Sequence, residues 1–375
     1  MTNTATQNTE KRSAARKAAS NPLTAGRLPG WSVWAIAAGG AAVAAIIILL
    51  TSLGNADGFN WAGFVVLGLL FSVTAIYVVS LMTEGKRQAT NRFVTSLVVS
   101  TFVLALIPLL SLIITLFTRG MARLDAEFFS SSMRGIVDVG GGAAHAIWGT
   151  VLITLTATLL SVPIGIFTAI YLVEYGKGWL KNAINFFVDV MTGIPSIVAG
   201  LFVFTMLFAA TAFTPLTPAT IKTGLAGALA LTILMLPTVI RSSEEMLRLV
   251  PNELREASYA LGTPKWVTIV KIVLPTALAG IATGVTLAIS RVIGETAPLL
   301  IAAGVAQASL NTNLVKGQMM SLPVFVYQMT KGAGVAQQPW FEMAWTAALV
   351  LLIIVMVLNL IARAIAYYFR PKGER

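Results

Sequence analysis

The chain has 375 residues, 57% of them hydrophobic and only 11% charged, with a mean hydropathy of +0.82. Soluble domains carry about 25% charged residues, so a soluble reading is excluded and a multi-span helical membrane protein is implied. Cysteine is absent and histidine occurs once, which rules out disulfides, thiolate metal sites and a multi-histidine metal centre. The net charge of +11 is explained by membrane orientation, so no nucleic-acid partner is implied.

Residues 1–30 are polar and basic (Lys11, Arg12, Arg16, Lys17, Arg27) and too poor in large apolar side chains to fold, which predicts a disordered cytoplasmic tail. The apolar run that follows is of full span length and lacks a suitably placed small-residue cleavage pattern, so it is not read as a cleavable signal. Runs of about 20 apolar residues cross the hydrocarbon layer, and they predict eight spans: 33–53, 61–82, 94–117, 147–173, 184–210, 224–241, 276–302 and 344–366. With the tail inside, 19 of the 26 Lys and Arg face the cytoplasm, 6 face outward and Arg291 lies within a span. That bias places both termini in the cytoplasm of a multi-pass plasma-membrane protein.

The first two spans carry no charge and are joined by a short outer loop, Gly54–Asn60. A polar linker marked by Lys86, Arg87 and Arg92 follows. The expected organisation is an accessory hairpin and linker at 31–93, then a six-span core at 94–375. A single eight-helix bundle is the alternative. The long outer loop at about 118–146 carries Arg119, Arg123, Asp125, Glu127, Arg134 and Asp138, and a loop of that length suits a partner-facing role. His145, at its glycine-rich end, reads as an ordinary interfacial residue. Pro163 and Gly165 interrupt the fourth span, Gly193, Pro195 and Gly200 the fifth, and Pro237 the sixth. Such breaks serve either as hinges and path linings or as sites of close helix packing.

Between the sixth and seventh spans, residues 242–275 form a polar, helix-forming insert. Asn252 is the expected N-cap, with Glu253 in the first turn, and Gly262 suits the position just past the helix end. Thr263 and Pro264 then restart a helix. Leu254, Ala257, Ser258 and Leu261 share a small, mildly apolar face suited to a groove. In the seventh span Arg291 and Glu295 are four residues apart, which on a helix puts them on one face. They read either as an internal ion pair or as an anion-binding arginine with an orienting carboxylate. The outer stretch 303–343 holds SLPVFVYQM, expected as an interfacial or re-entrant piece, and Trp340. Trp340 and the nearby Trp345 suit the membrane interface. No G-x-x-x-x-G-K-[ST] string is present, so the chain has no phosphate-cradling loop for ATP.

Two sets of residues carry a resemblance. Glu256, Ala257, Ser258, Gly262, Ile272, Leu274 and Pro275 match in spacing the EAA loop of ABC-importer membrane subunits, with Ser258 where that family usually has Ala. The string RVIGETAPL from Arg291, together with AIYLVEY at 169–175, GIPSIVAGLF at 193–202 and LPTVIRSSEEMLRLVPNELREASYALG at 236–262, resembles the phosphate-specific Pst-type permeases, most closely the PstA branch. The resemblance covers roughly 147–302. It implies a type I importer core and a coupling helix that docks on two ATP-binding subunits. ATP and Mg would be held by those partners, and no cofactor by this chain. It further implies a homologous PstC-like permease, an extracytoplasmic phosphate-binding protein, membrane lipid around the spans, and a phosphate path at Arg291, Glu295, Thr296 and Arg241. At Arg241 a snorkelling arginine is the alternative. Another oxyanion (sulfate, molybdate, phosphonate) and an ATP-independent secondary transporter are the competing functions.

Overall fold

A computed structural model describes residues 28–52, 59–136, 139–213, 220–306, 310–332 and 337–368. The expected tail lies almost wholly outside the described residues, as does Asp138. Among the described residues there is no strand. The helices are α1 (Ser32–Ser52), α2 (Trp61–Thr83), α3 (Lys86–Gly120), α4 (Ala126–Ser130), α5 (Ala144–Ile170), α6 (Gly178–Thr192), α7 (Ser196–Ala210) and α8 (Gly224–Arg248). They continue as α9 (Asn252–Ala260), α10 (Lys265–Thr268), α11 (Leu274–Val292), α12 (Ala297–Ala302), α13 (Leu322–Lys331) and α14 (Gln337–Tyr368). A π turn, Tyr171–Tyr175, prolongs α5, and a second, Ile269–Val273, fuses α10 to α11. Seven described helices are long and apolar enough to cross a membrane, or eight if the bent pair α6–α7 counts as one span.

Two expected spans are not continuous. The run 184–210 is broken into α6 and α7, which meet at 111°. Pro195 supplies no amide hydrogen and sits extended at φ −60° and ψ 137° as the N-cap of α7, so the ladder of α6 cannot pass through it. The run 276–302 breaks after Val292, and α12 restarts at Ala297 with Pro298 in its first turn. The expected polar linker is also shorter than predicted: Lys86, Arg87 and Arg92 belong to α3, leaving only Glu84 and Gly85 between helices. Gly85 turns the chain at φ +85°, a conformation that favours glycine.

The chain divides into two compact units, Met1–Ile113 and Ile114–Arg375, the division falling inside α3. In the first, α1 and α2 meet backbone to backbone, since a Cβ on Gly40 would lie 2.6 Å from the Ser72 amide nitrogen. Glu84 closes the α2–α3 turn, accepting from Ser80 Oγ at 2.7 Å and pairing with Arg92 at 2.6 Å. In the second unit α5 crosses α8 closely enough that a Cβ on Gly165 would meet Val239 Cγ1 at 2.6 Å. Small residues permit this approach, which is how helices gain contact where lipid removes the hydrophobic drive between them. Ile153, Leu231, Met235, Val292 and Phe325 form the centre of the core. The SLPVFVYQM stretch packs against protein: α13 buries Leu322 to Phe325, and Thr150 Oγ1 accepts from the Leu322 amide at 2.7 Å. His145 is likewise buried, 2% exposed, with its ring edge-on to Phe325.

Candidate functional site

Two helix breaks converge on one small cavity. It has a volume of about 190 Å³ and is lined by Met191, Thr192, Ile194 and Ser196 of the α6–α7 corner, Leu234, Pro237 and Thr238 of α8, and Arg291, Val292 and Glu295. The breaks at Pro195 and after Val292 expose backbone and polar side chains there, an arrangement tolerated at membrane depth only beside protein or a polar cavity. Of the sequence-expected residues, Arg291 and Glu295 line the cavity together with the two neighbours of Pro195. Thr296 lies just beyond the lining as the N-cap of α12, its carbonyl accepting from Leu300 N at 2.9 Å. Gly193 caps the end of α6. Gly200 sits away from the cavity: a Cβ there would lie 2.5 Å from Pro298 Cα, so its smallness serves the contact of α7 with α12.

Arg291 and Glu295 do not share a helix face. Arg291 is in the last turn of α11, whereas Glu295 follows the helix end, its amide donating to Val292 O at 3.1 Å. They form no ion pair with each other, and Arg291 has no carboxylate partner among the described residues. An arginine that is exposed in the isolated chain, at the wall of a cavity between spanning helices, is a strong electrostatic demand for an anion.

Arg241 differs. Its guanidinium donates to Asp189 Oδ1 at 2.5 Å, Glu244 Oε2 at 2.7 Å and Asn185 Oδ1 at 3.1 Å. Glu244 also accepts from Arg248 at 2.5 Å. The forked donors of Arg241 are thus occupied in tying α6 to α8, and it does not line the cavity. This network was missed in the sequence reading of Arg241 alone. The spacing Arg241–Glu244–Arg248, three and then four residues, was the local signal for it.

The insert forms a helical hairpin. The cap of α9 is Pro251, one residue before the expected Asn252, and the cap of α10 is Pro264 in place of Thr263. Gly262 has φ +75°. Its amide donates to Tyr259 O at 2.9 Å and that of Thr263 to Ser258 O at 3.3 Å, which satisfies the last carbonyls of α9 in a Schellman closure. The expected docking face is only partly exposed. Leu254, Ala257 and Leu261 face outward, as do Glu256 and Tyr259, but Ser258 is buried against α10, its Oγ 2.8 Å from Thr268 Oγ1. Ile272 and Leu274 are half-buried where the second π turn enters α11, and Pro275 is exposed in its first turn.

The fold is similar to that of a solved ABC transporter: a bacterial alginate ABC transporter, in complex with an alginate pentasaccharide-bound periplasmic protein, superposes with a TM-score of 0.55 at 15% identity, over 72% of this chain and 92% of that one. The family described as binding-protein-dependent transport system inner membrane component matches residues 161–374. Phosphate transport system permease protein PstA 1 of Mycobacterium tuberculosis (strain ATCC 25618 / H37Rv) is 44% identical over 286 residues, 75% of this chain and 89% of that protein. PstA of Mycobacterium leprae is 42% identical over 75% of this chain and 90% of its own length. PstA of Yersinia pestis is 38% identical over 75% and 92%. The chain belongs to the family of binding-protein-dependent transport system inner membrane components, in its PstA branch.

Proposed function

We propose that this chain is the membrane-spanning subunit of an ATP-driven importer that moves inorganic phosphate into the cytoplasm. The observation that carries the reading is Arg291, a guanidinium without a carboxylate partner among the described residues, on the wall of the cavity where two helix breaks meet. Its forked donors match paired oxygens of a tetrahedral oxyanion, and Glu295 on the same wall prevents the anion from being held too tightly. The high identity to PstA proteins favours phosphate over sulfate, molybdate or phosphonate.

A homologous PstC-like permease completes the path from the exposed side of Arg291. Two ATP-binding subunits, which hold ATP and Mg, dock on α9 at Leu254, Ala257 and Leu261. An extracytoplasmic phosphate-binding protein delivers the anion at the opposite end. The 19-to-6 charge bias supports a cytoplasmic position for both termini. ATP binding draws the ATPases together and moves the α9–α10 hairpin. The spans then reorient, and the cavity opens first outward and then inward.

Radiolabelled phosphate and sulfate uptake, measured in cells lacking this chain, tests the reading. Selective loss of phosphate uptake, restored by the intact chain, supports it. Unchanged phosphate uptake with lost sulfate uptake keeps the importer and discards the substrate.

A further inference from the structure

We propose that Glu174 is a positioning residue that locks the α9 hairpin to the end of α5, so that the hairpin and the two longest-packed core helices move as one body. Glu174 lies in the π turn Tyr171–Tyr175 and its side chain is 6% exposed. Arg255 Nε of α9 donates to its Oε1 at 3.1 Å, and Lys265 Nζ stands 4.0 Å from its Oε2 and donates to its backbone carbonyl. The ammonium of Lys265 also lies 4.9 Å from the centre of the Tyr175 ring.

The remaining donors of Arg255 reach a third helix. Nη1 donates to Val250 O at 2.6 Å and Nη2 to Leu247 O at 2.9 Å. Leu247 O is one of the carbonyls that the C-terminus of α8 leaves without a helical partner. One guanidinium therefore joins the end of α5, the end of α8 and the first turn of the hairpin. α8 carries Leu234, Pro237 and Thr238 of the Arg291 cavity. The π turn adds a residue to the helical register, a rotation of about 100° at 3.6 residues per turn, and it is this part of the chain that presents Glu174 to Arg255. Pro251, between α8 and α9, has no amide hydrogen to carry the helical ladder from one helix to the next. Without the clamp a push on α9 would be absorbed there.

The inference rests on the importer reading for its direction of coupling, but not for the clamp itself. The test is Glu174→Gln in the assembled complex with its ATP-binding subunits, read in two ways. Hydrogen exchange of the amides of 252–262 should accelerate roughly tenfold, because the largely buried Arg255 loses the carboxylate that ties it to the end of α5. Phosphate moved per ATP hydrolysed should fall by about the same factor while hydrolysis persists, and Glu174→Asp should restore part of it. Unchanged exchange, or transport and hydrolysis falling in equal proportion, would overturn the proposal. If Glu174→Gln does not assemble, Arg255→Lys is read in the same two assays. It keeps a charge for Glu174 but loses the fork to Leu247 and Val250, and an unchanged exchange rate and ratio there would overturn the clamp. A wild-type complex that hydrolyses ATP and moves no phosphate would defeat the importer reading instead, and the exchange comparison would still decide the clamp.

Discussion

The hydroxyls of Ser258 and Thr268 lie 2.8 Å apart in the closed interior of the insert, joining α9 to α10 across the Gly262 turn. Ser258 occupies a position where the EAA loop usually has Ala, and the hydrogen bond accounts for the hydroxyl. Thr268 Oγ1 keeps a second, longer acceptor at Pro264 O, 3.5 Å away. Ser258→Ala is therefore expected to cost only about 1 kcal/mol and to leave transport near wild type. Ser258→Leu, forced into a site that is 4% exposed, should abolish ATPase docking. Pull-down of the ATP-binding subunits with each variant checks the contrast, and equal docking by both would contradict the packing described.

Gly262 meets no atom within 4 Å of an added Cβ, yet its φ is +75°. The cost of a side chain there is backbone strain alone, on the order of 1–2 kcal/mol. Gly262→Leu should lower transport per ATP hydrolysed by opening the Schellman closure. Gly262→Asn, which tolerates the left-handed region better, should be milder. Paired transport and ATPase assays order the three proteins, and an equal ratio in all would count against the turn.

Gly200 is constrained the other way. A Cβ would press on Pro298 backbone at 2.5 Å, and overpacking of this kind costs about 1–3 kcal/mol. Gly200→Ala should lower the melting temperature of the purified chain and displace α12, the helix that follows Glu295. A melting temperature equal to wild type would contradict the close approach of α7 to α12.

The spans were legible because hydropathy is local, and the Schellman turn was legible because Gly262 is a local signal. What misled was continuity of apolar character. In residues 184–210 the interruption at Gly193 and Pro195 was legible, but its sharpness was not, since hydropathy does not register a 111° corner. Arg291 and Glu295 looked like a helical pair because Gly294 and Pro298, which mark the break, are embedded in an apolar run. The roles of Glu174 and Asn185 were illegible for a different reason. Their partners, Arg255 and Arg241, are 81 and 56 residues away, and no periodicity reports a pairing between distant elements.

The segment between α3 and α5 offers a pH-dependent check. Asp125 caps α4, accepting from the Phe128 amide at 2.8 Å. That bond, with Arg123 beside it, holds its carboxyl below the ordinary aspartate range despite the opposing effect of burial. A lowered folded-state value means that the cap is fully present above the ordinary value of 3.8 and is lost as pH falls through the lowered one. Protection of the 126–130 amides, taken relative to their intrinsic exchange rate at each pH, should fall on acidification through that window in the wild type. Asp125→Asn, which caps without titrating, should show no such step. A step of equal size in both proteins would contradict the assignment.

Arg291 is the centre of the account. The most direct measurement is ATP-dependent phosphate uptake by proteoliposomes containing the complete complex, with wild-type Arg291, Arg291→Lys and Arg291→Gln compared at equal assembly. At least a tenfold loss is expected for Arg291→Gln, about the worth of one charge-assisted hydrogen-bonded contact. Arg291→Lys, which keeps the charge without the fork, should retain partial activity. Wild-type uptake by an intact Arg291→Gln complex would contradict the central role of Arg291.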